Sequence, residues 1–422
     1  MKNKQIGKYY SRKSCRFCKG KNFVEILNFG NVPLAGAFIE KNDINNEKFY
    51  PLKINYCINC FLVQVENVIS VDILFKEKYF FFSSAISTLV HHFEKFAKDI
   101  YNINFIEKNK PSVLEIGCND GVLLNPLSLL GVSCIGVDPA TNVIKEINSK
   151  HIKIYNDCFT EKTAIKIEKN HGNIDAIVSC YSFAHIDDME DVMNGVNYIL
   201  KSDGLFIFEL YYLGTLLDNM QYDNFYHEHM SYYSIETLQK FLKKYEMEIF
   251  DVKFFPEVRS GATRFYAKYI KNSKKEITTN FKEMVLNEKN KGYNDLSSLL
   301  KYADRVKNTK KILIETLEEI KNNGKTIVGY GASGRGTTIM NYCGIDEKYI
   351  DYVIDDAPAK QGFYTPGTHL PIKSWDHTAV AGIPDYIILF AWAFIDEVLI
   401  KRQDYTEQGG KFIIPLPEVR IV

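Results

Sequence analysis

Between Ser112 and about Phe254, short apolar strands alternate with stretches of helical spacing, and this alternation restricts the possible folds more than any other feature. Strands are expected at Val113–Ile116, Ser133–Val137, Ala176–Ser179 and Leu205–Glu209. Apolar runs of that length separated by helices form a parallel sheet covered on both faces. A second series opens at Thr326–Tyr330, continues through Asp351–Asp355 and returns at Tyr386–Phe390. The C-terminal third is therefore expected to be another Rossmann-like unit. Leu89, Phe93, Phe96, Ala97 and Ile100 form one helical stripe ahead of the first series, and residues 273–323 read as charged amphipathic helices.

A chain of 422 residues exceeds what one core organises, and its 46% apolar content is ample for two or three. Lys plus Arg and Asp plus Glu balance at 52 each, which leaves no long-range field to capture nucleic acid or a membrane surface. Neither is an expected partner, and any anionic ligand must be held locally. Met1–Lys13 is polar and basic, and no run approaches the roughly 20 apolar residues of a membrane span, so a cytoplasmic location is expected.

Nine cysteines without a signal segment favour reduced thiols and metal ligation over disulfides. Cys15-x-x-Cys18 and Cys57-x-x-Cys60 form two hooks whose four thiolates would close a tetrahedral zinc site with no vacancy for water, a structural role. The alternative is four independent thiols. Cys118, Cys134, Cys158, Cys180 and Cys343 read as small buried hydrophobes.

In Val113-Leu114-Glu115-Ile116-Gly117-Cys118-Asn119-Asp120-Gly121, an apolar strand enters a glycine-flanked turn before a helix, where a ligand can approach the backbone. A dinucleotide site is the direct competitor. Glu115 before the first glycine, Asn119 in place of a central glycine, and the lack of clustered basic groups favour S-adenosylmethionine (SAM). Asp138 ends the next strand about 20 residues on, suited to ribose hydroxyls. Asp157 and Cys158, after a third strand, offer an adenine-edge contact, although Asp157 also reads as a helix N-cap. His185 follows the fourth strand and would face the acceptor, with capping or packing as its alternative. Tyr226, His227, Glu228 and His229 then crowd proton-transferring groups together, fit for acid–base work; a polar loop or a metal site competes.

Taken together, these motifs resemble the three-domain sugar C-methyltransferases of deoxysugar pathways. The resemblance rests on the cysteine hooks with Asn31–Ala35 between them, Tyr79–Ser84, Glu115–Gly121, Tyr226–His229, Gly331–Thr338, Asn341–Gly344 and Tyr364–Thr368. It implies an α/β fold in three parts: a zinc-binding module over residues 1–75, a Rossmann-like class I methyltransferase domain over 76–255, and a Rossmann-like C-terminal domain over 256–422 with a nucleotide-binding role. It further implies methylation at C3 of a nucleotide-linked 4-keto-6-deoxy sugar through an enolate, with SAM as methyl donor and structural Zn2+. The substrate would be dTDP- or GDP-linked, and the enzyme a monomer.

On the same resemblance Tyr79, His185, Tyr226, Glu228 and His229 line the sugar pocket. Acid–base reasoning makes His229 the first choice of base, with Tyr226 or Glu228 as alternatives, while Ser333, Arg335, Gly336, Thr337, Asn341 and Tyr364 would serve the nucleotide. Two positions depart from the family pattern: Phe82 stands where tyrosine is common, and Gly36 where asparagine is expected. An O- or N-methyltransferase on a sugar nucleotide is the nearest rival, and an NAD-dependent nucleotide-sugar oxidoreductase a remote one.

Overall fold

The computed structural model describes residues 9–76, 79, 81–106, 108–271 and 275–422. The first eight residues of the basic N-terminal stretch, Phe80 of the Tyr79–Ser84 motif, and residues 273 and 274 of the expected helical segment lie outside them.

The N-terminal module is built on β1 (Tyr9–Ser11), β2 (Phe23–Val32), β3 (Tyr50–Cys57), β4 (Val63–Val65) and β5 (Asn67–Ile69). β3 pairs antiparallel with β2 and β4, and β1 pairs with β5. Its apolar content is small, so it leans on its neighbours: Phe17 stacks on Phe241 of the central domain with ring centroids 3.7 Å apart, and the Lys244 ammonium donates to the Phe17 carbonyl at 2.7 Å.

The central domain contributes β6 (Ser112–Ile116), β7 (Ser133–Val137), β8 (Ile152–Tyr155), β9 (Ile174–Cys180), β10 (Leu200–Tyr211), β11 (Ser231–Tyr232), β12 (Met247–Phe255) and β13 (Ala262–Tyr269). Seven of them form one sheet in the order β12-β13-β10-β9-β6-β7-β8. β6 lies parallel between β7 and β9, so the direction of winding reverses at β6 and opens a crevice beyond its carboxyl end. The exception is β11. It pairs with β4 and so extends the N-terminal sheet. The sequence-based boundary at 255/256 falls between two strands that pair: β13 joins both β12 and β10 and carries the central sheet to Tyr269.

The C-terminal domain follows two helices, Thr279–Lys291 and Leu296–Asn322. The longer one buries Leu299, Tyr302, Val306, Leu313, Leu317 and Ile320, a stripe at helical spacing. Its sheet comprises β14 (Ile327–Tyr330), β15 (Val353–Ile354), β16 (Ile372–Lys373), β17 (Tyr386–Leu389), β18 (Lys411–Ile414) and β19 (Arg420–Ile421), ordered β16-β15-β14-β17-β18-β19. Here the winding reverses between β14 and β17.

One buried ion cluster fixes the edge of the central sheet. Both carboxylate oxygens of Glu209 on β10 lie 2.9 Å from His92 Nε2, and Arg264 on β13 donates to Glu209 through Nε at 3.0 Å and Nη2 at 2.8 Å. Glu209 is fully buried, and its carboxyl is held below the usual range: burial pushes it up, but Arg264 and His92 outweigh that. Replacing Glu209 with Ala leaves a guanidinium buried beside Phe96 and Phe255. We expect Glu209→Ala to cost about 3–5 kcal/mol in denaturant titration. A loss below about 1 kcal/mol would show that Asp99, the other carboxylate on Arg264, suffices by itself.

Candidate active site and zinc cluster

The two cysteine hooks fold alike. In each, the first cysteine carbonyl accepts from the backbone four residues on, Lys19 N–H at 3.1 Å and Phe61 N–H at 2.8 Å, and that fourth residue takes a positive φ, 60° at Lys19 and 72° at Phe61. This turn aims both sulfurs of a hook the same way. The Sγ atoms of Cys15, Cys18, Cys57 and Cys60 all lie within 4.8 Å of one another. Gln64 Nε2 reaches Cys15 Sγ at 3.3 Å, and Gly20 N–H reaches Cys18 Sγ at 3.4 Å, donors that suit thiolates. Four sulfurs at this spacing fit a closed zinc site.

The hook also grips the active site. Arg16, between the two cysteines of the first hook, is fully buried; its Nε donates to Asp187 Oδ1 at 3.0 Å and its Nη1 to the Val65 carbonyl at 2.6 Å. Arg12 Nη1 donates to Asp187 Oδ2 at 2.7 Å, and the Tyr10 hydroxyl donates to the same oxygen. Burial raises the Asp187 carboxyl, but Arg16 and Arg12 hold it below its ordinary value. Asp187 directly follows His185-Ile186, so the zinc module sets the position of the loop after β9.

At the carboxyl end of β6, Gly117 takes φ 74°, and a Cβ there would stand 2.4 Å from Ser182 Cβ. No side chain fits. Asp138 accepts from the backbone N–H of Asn119 at 2.9 Å and of Ala140 at 2.8 Å. Glu115, Asp120 and Asp138 are all buried, and one oxygen of Glu115 and one of Asp120 have no hydrogen-bond partner. Burial raises the Glu115 carboxyl well above its usual value, with Asp138 and Asp120 adding to it. Such a cluster fits a cationic ligand, as the sulfonium and ammonium of SAM require.

The Asn119 side chain also has a structural task. Its Oδ1 accepts from Ser83 N–H at 2.9 Å and its Nδ2 donates to the Phe81 carbonyl at 3.1 Å, while Asp120 Oδ2 accepts from Ser84 N–H. The segment before Ser84 is thereby fastened over the donor loop. Asp157 is exposed and caps nothing; Thr160 caps the helix Glu161–His171. Cys158 is half-buried beside it.

Tyr79, His185, Tyr226, Glu228 and His229 do converge. His229 Nδ1 lies 2.9 Å from the Asn224 carbonyl oxygen, which only accepts, so Nδ1 carries the hydrogen of the neutral ring. Nε2 then accepts the Tyr226 phenol at 2.9 Å. His185 stacks on His229 at 5.2 Å and on Phe75 at 5.5 Å, and its Nε2 is buried without a partner. Burial lowers His229 well below the ordinary histidine value, with His185 adding to it; burial and then Arg259 lower His185 to about 4. Both rings are neutral at pH 7. Burial raises Glu228 to about 7, against the pull of the Gly36 N–H. The departure at Gly36 thus falls on the pocket itself, since a Cβ there would stand 3.7 Å from Glu228 Oε1. His227 turns the other way and lies 3.2 Å from the Pro51 carbonyl.

The C-terminal motif residues mostly join domains. Arg335 binds Asp223 with two hydrogen bonds, at 2.8 and 3.1 Å, and Trp392 Nε1 donates to the same carboxylate. Ser333 Oγ accepts from Gly336 N–H as helix cap. Asn341 Nδ2 holds the Pro366 carbonyl at 3.0 Å, and Tyr364 exchanges backbone bonds with Ile39. Thr337 faces a small cavity that Tyr226, Pro33 and Ala35 also line, and its hydroxyl is buried without a partner. Sequence reasoning missed Arg259, Tyr181 and Tyr211, which complete the aromatic wall; only the turn signal of Gly261 marked that stretch.

Residues 15–75 match a family model described as "Putative zinc binding domain", residues 89–252 one described as "Methyltransferase domain", and residues 257–417 one described as "C-methyltransferase C-terminal domain". Fold and site together define a SAM-dependent methyltransferase with a zinc-binding N-terminal domain. C-methyltransferase NovU of Streptomyces niveus is 31% identical over 410 residues, covering 97% of this chain and 96% of that protein. The mitochondrial ubiquinone biosynthesis O-methyltransferase of Bos taurus is 30% identical over 103 residues, 22% of this chain and 27% of that protein. A SAM-dependent methyltransferase structure from Clostridium acetobutylicum ATCC 824 aligns with a TM-score of 0.34 at 18% identity, over 43% of this chain and 92% of that one. The chain belongs to the C-methyltransferase family that includes NovU.

Elemental analysis should find one zinc per chain, and Cys57→Ser should lower both metal content and melting temperature; full stability without metal would refute the structural role. Asp187→Asn should destabilise by about 2–3 kcal/mol at pH 7. Because the folded carboxyl is depressed, its contribution is present above the unfolded value of about 3.9 and is lost as pH falls through the folded value. The gap between wild type and variant should close in acid, and an undiminished gap there would exclude the ionic contribution.

Proposed function

We propose that this enzyme methylates C3 of a nucleotide-linked 4-keto-6-deoxy sugar through an enolate. The observation that carries the reading is the Tyr226–His229 pair, whose tautomer is set by Asn224 so that Nε2 is the proton acceptor. A ketone at C4 acidifies the C3 hydrogen, and a neutral imidazole held ready as acceptor is what its removal needs. Both ring nitrogens of His229 are already engaged, Nδ1 by the Asn224 carbonyl and Nε2 by the Tyr226 phenol. The C3 proton accordingly goes to the phenol oxygen as the phenolic proton moves to His229 Nε2, leaving an enolate and an imidazolium.

Glu228, ionised above pH about 7, stabilises the positive charge gained by the pair. His185 and Tyr79 orient the ring and donate to its oxygen. SAM, held at the Glu115–Asp138 side, supplies the electrophilic methyl group that the carbanion takes.

The nucleotide fits a crevice of about 270 Å³ between the central and C-terminal domains, lined by Asn219, Ser260, Trp392, Leu416 and Arg420 among others. It lies beyond the carboxyl ends of β17 and β18, where open α/β sheets hold ligands. The motif residues Ser333, Arg335, Gly336, Asn341 and Tyr364 support this reading indirectly, as the framework that joins the domains around the crevice. Among the described residues no helix is long and apolar enough to cross a membrane, and nine cysteines that form no disulfide among those residues suit a reducing cytoplasm.

Incubation with SAM and with dTDP- or GDP-linked 4-keto-6-deoxy sugars, followed by NMR of the product, tests the reading. A methyl on C3 supports it, and a methyl on oxygen or nitrogen replaces it with the rival transferase. His229→Ala should bind SAM normally and lose turnover by at least about 100-fold; full turnover would remove His229 as the base. With Glu228 needed as carboxylate, kcat/KM should rise with pH through about 7 in the wild type. Glu228→Gln should abolish that inflection, and its persistence would assign it to another group.

A further inference from the structure

Resting on the enolate reading, we propose that Arg259 is a catalytic residue whose guanidinium holds the oxygen of the enolate as it forms at the substrate's 4-keto group. Arg259 sits on a hairpin turn between β12 and β13 where three consecutive residues take positive φ: 49° at Arg259, 63° at Ser260 and 113° at Gly261. Two of these are not glycine, so the turn is strained and must be held. Gln221 Nε2 donates to the Ser260 carbonyl at 2.8 Å, and Val258 O accepts from Gly261 and Ala262 N–H, each at 2.9 Å. The strain delivers the guanidinium into the aromatic wall of the acceptor site, 4.2 Å from the Tyr181 ring centre and 4.7 Å from that of Phe81. From Tyr181 the wall continues to Tyr211 at 5.1 Å and on to His229 at 5.4 Å.

Arg305 and Arg420 lie exposed to water, and among the remaining arginines charge balance singles this residue out. Arg16 pairs with Asp187, Arg264 with Glu209 and Asp99, Arg335 with Asp223, and Arg402 with Asp356. Among the described residues no carboxylate forms an ion pair with Arg259; its strongest polar neighbours are the neutral phenols Tyr211 and Tyr181. A cation walled by neutral rings calls for an anion from the ligand. Enolisation creates one: the C3–H electron pair becomes the C3–C4 double bond, the carbonyl π pair moves onto oxygen, and the proton goes to the Tyr226–His229 pair. The two new charges are then matched separately, the oxyanion by Arg259 and the imidazolium by Glu228. Burial is the main cause of the depressed basicity of His185 and His229, and Arg259 adds to it at both rings.

The experiment follows exchange of the C3 hydrogen of a 4-keto-6-deoxy sugar nucleotide into D2O by NMR. S-adenosylhomocysteine is present, so methyl transfer is blocked and proton removal is read alone. Arg259→Gln should slow both exchange and kcat by about 100–1,000-fold, as loss of an oxyanion donor does, with KM within about threefold of wild type. Arg259→Lys, which keeps the charge, should fall between. A rise in KM with exchange and kcat intact would overturn the proposal in favour of a diphosphate contact. So would unchanged exchange in Arg259→Gln, whereas loss of S-adenosylhomocysteine binding by calorimetry in both variants would assign Arg259 a structural role instead. Absence of exchange in the wild type itself would sink the enolate reading first, and this inference with it.

Discussion

The active-site geometry depends on a fully buried guanidinium from one domain meeting a carboxylate from another. Arg16 cannot remain charged in the interior without Asp187, and Asp187 cannot leave without stranding Arg16. Because Arg16 lies between two zinc-cluster cysteines and Asp187 lies two residues past His185, the pair converts the rigidity of the cluster into the position of a pocket wall. A structural metal and a catalytic cleft are mechanically one unit here.

The same economy recurs at the opposite side. Asp223 precedes Asn224, whose carbonyl sets the His229 tautomer, and Asp223 is clamped by Arg335 and Trp392 of the C-terminal domain. All three domains thus fix the short segment to which proton transfer is assigned above. None supplies the site alone: Gly36 approaches Glu228 from the first, Tyr226 and His229 come from the second, and Thr337 closes the cavity from the third.

What was legible in the sequence was whatever depends on local spacing. Two CxxC hooks, strands such as Ser133–Val137, the glycine turn after β6 and the crowding at Tyr226–His229 all carry their geometry within a few residues. Partner choice across long separations was not legible. Arg335 reads as a charge beside a helix start, and the carboxylate it binds stands 112 residues away, beyond the reach of local spacing. Asn119 reads as a ligand contact, and the bonds of its amide to the Phe81–Ser83 backbone are a second role that local spacing does not show. Asp157 resembled a cap, yet the hydrogen bond goes to Thr160, which sits at the correct offset from Thr163. The pairing of β13 with β10, about 50 residues away, was not legible either, and the turn that leads into β13 carries Arg259.

One consequence follows from the short strand Ser231–Tyr232, which leaves the central domain to extend the N-terminal sheet immediately after His229. The N-terminal region is not an exchangeable cassette. A chimera that grafts a relative's cysteine-bearing module onto this chain would also have to bring that relative's matching edge strand into the middle of the recipient sequence, or the inserted module would dislodge the very imidazole it was meant to leave untouched.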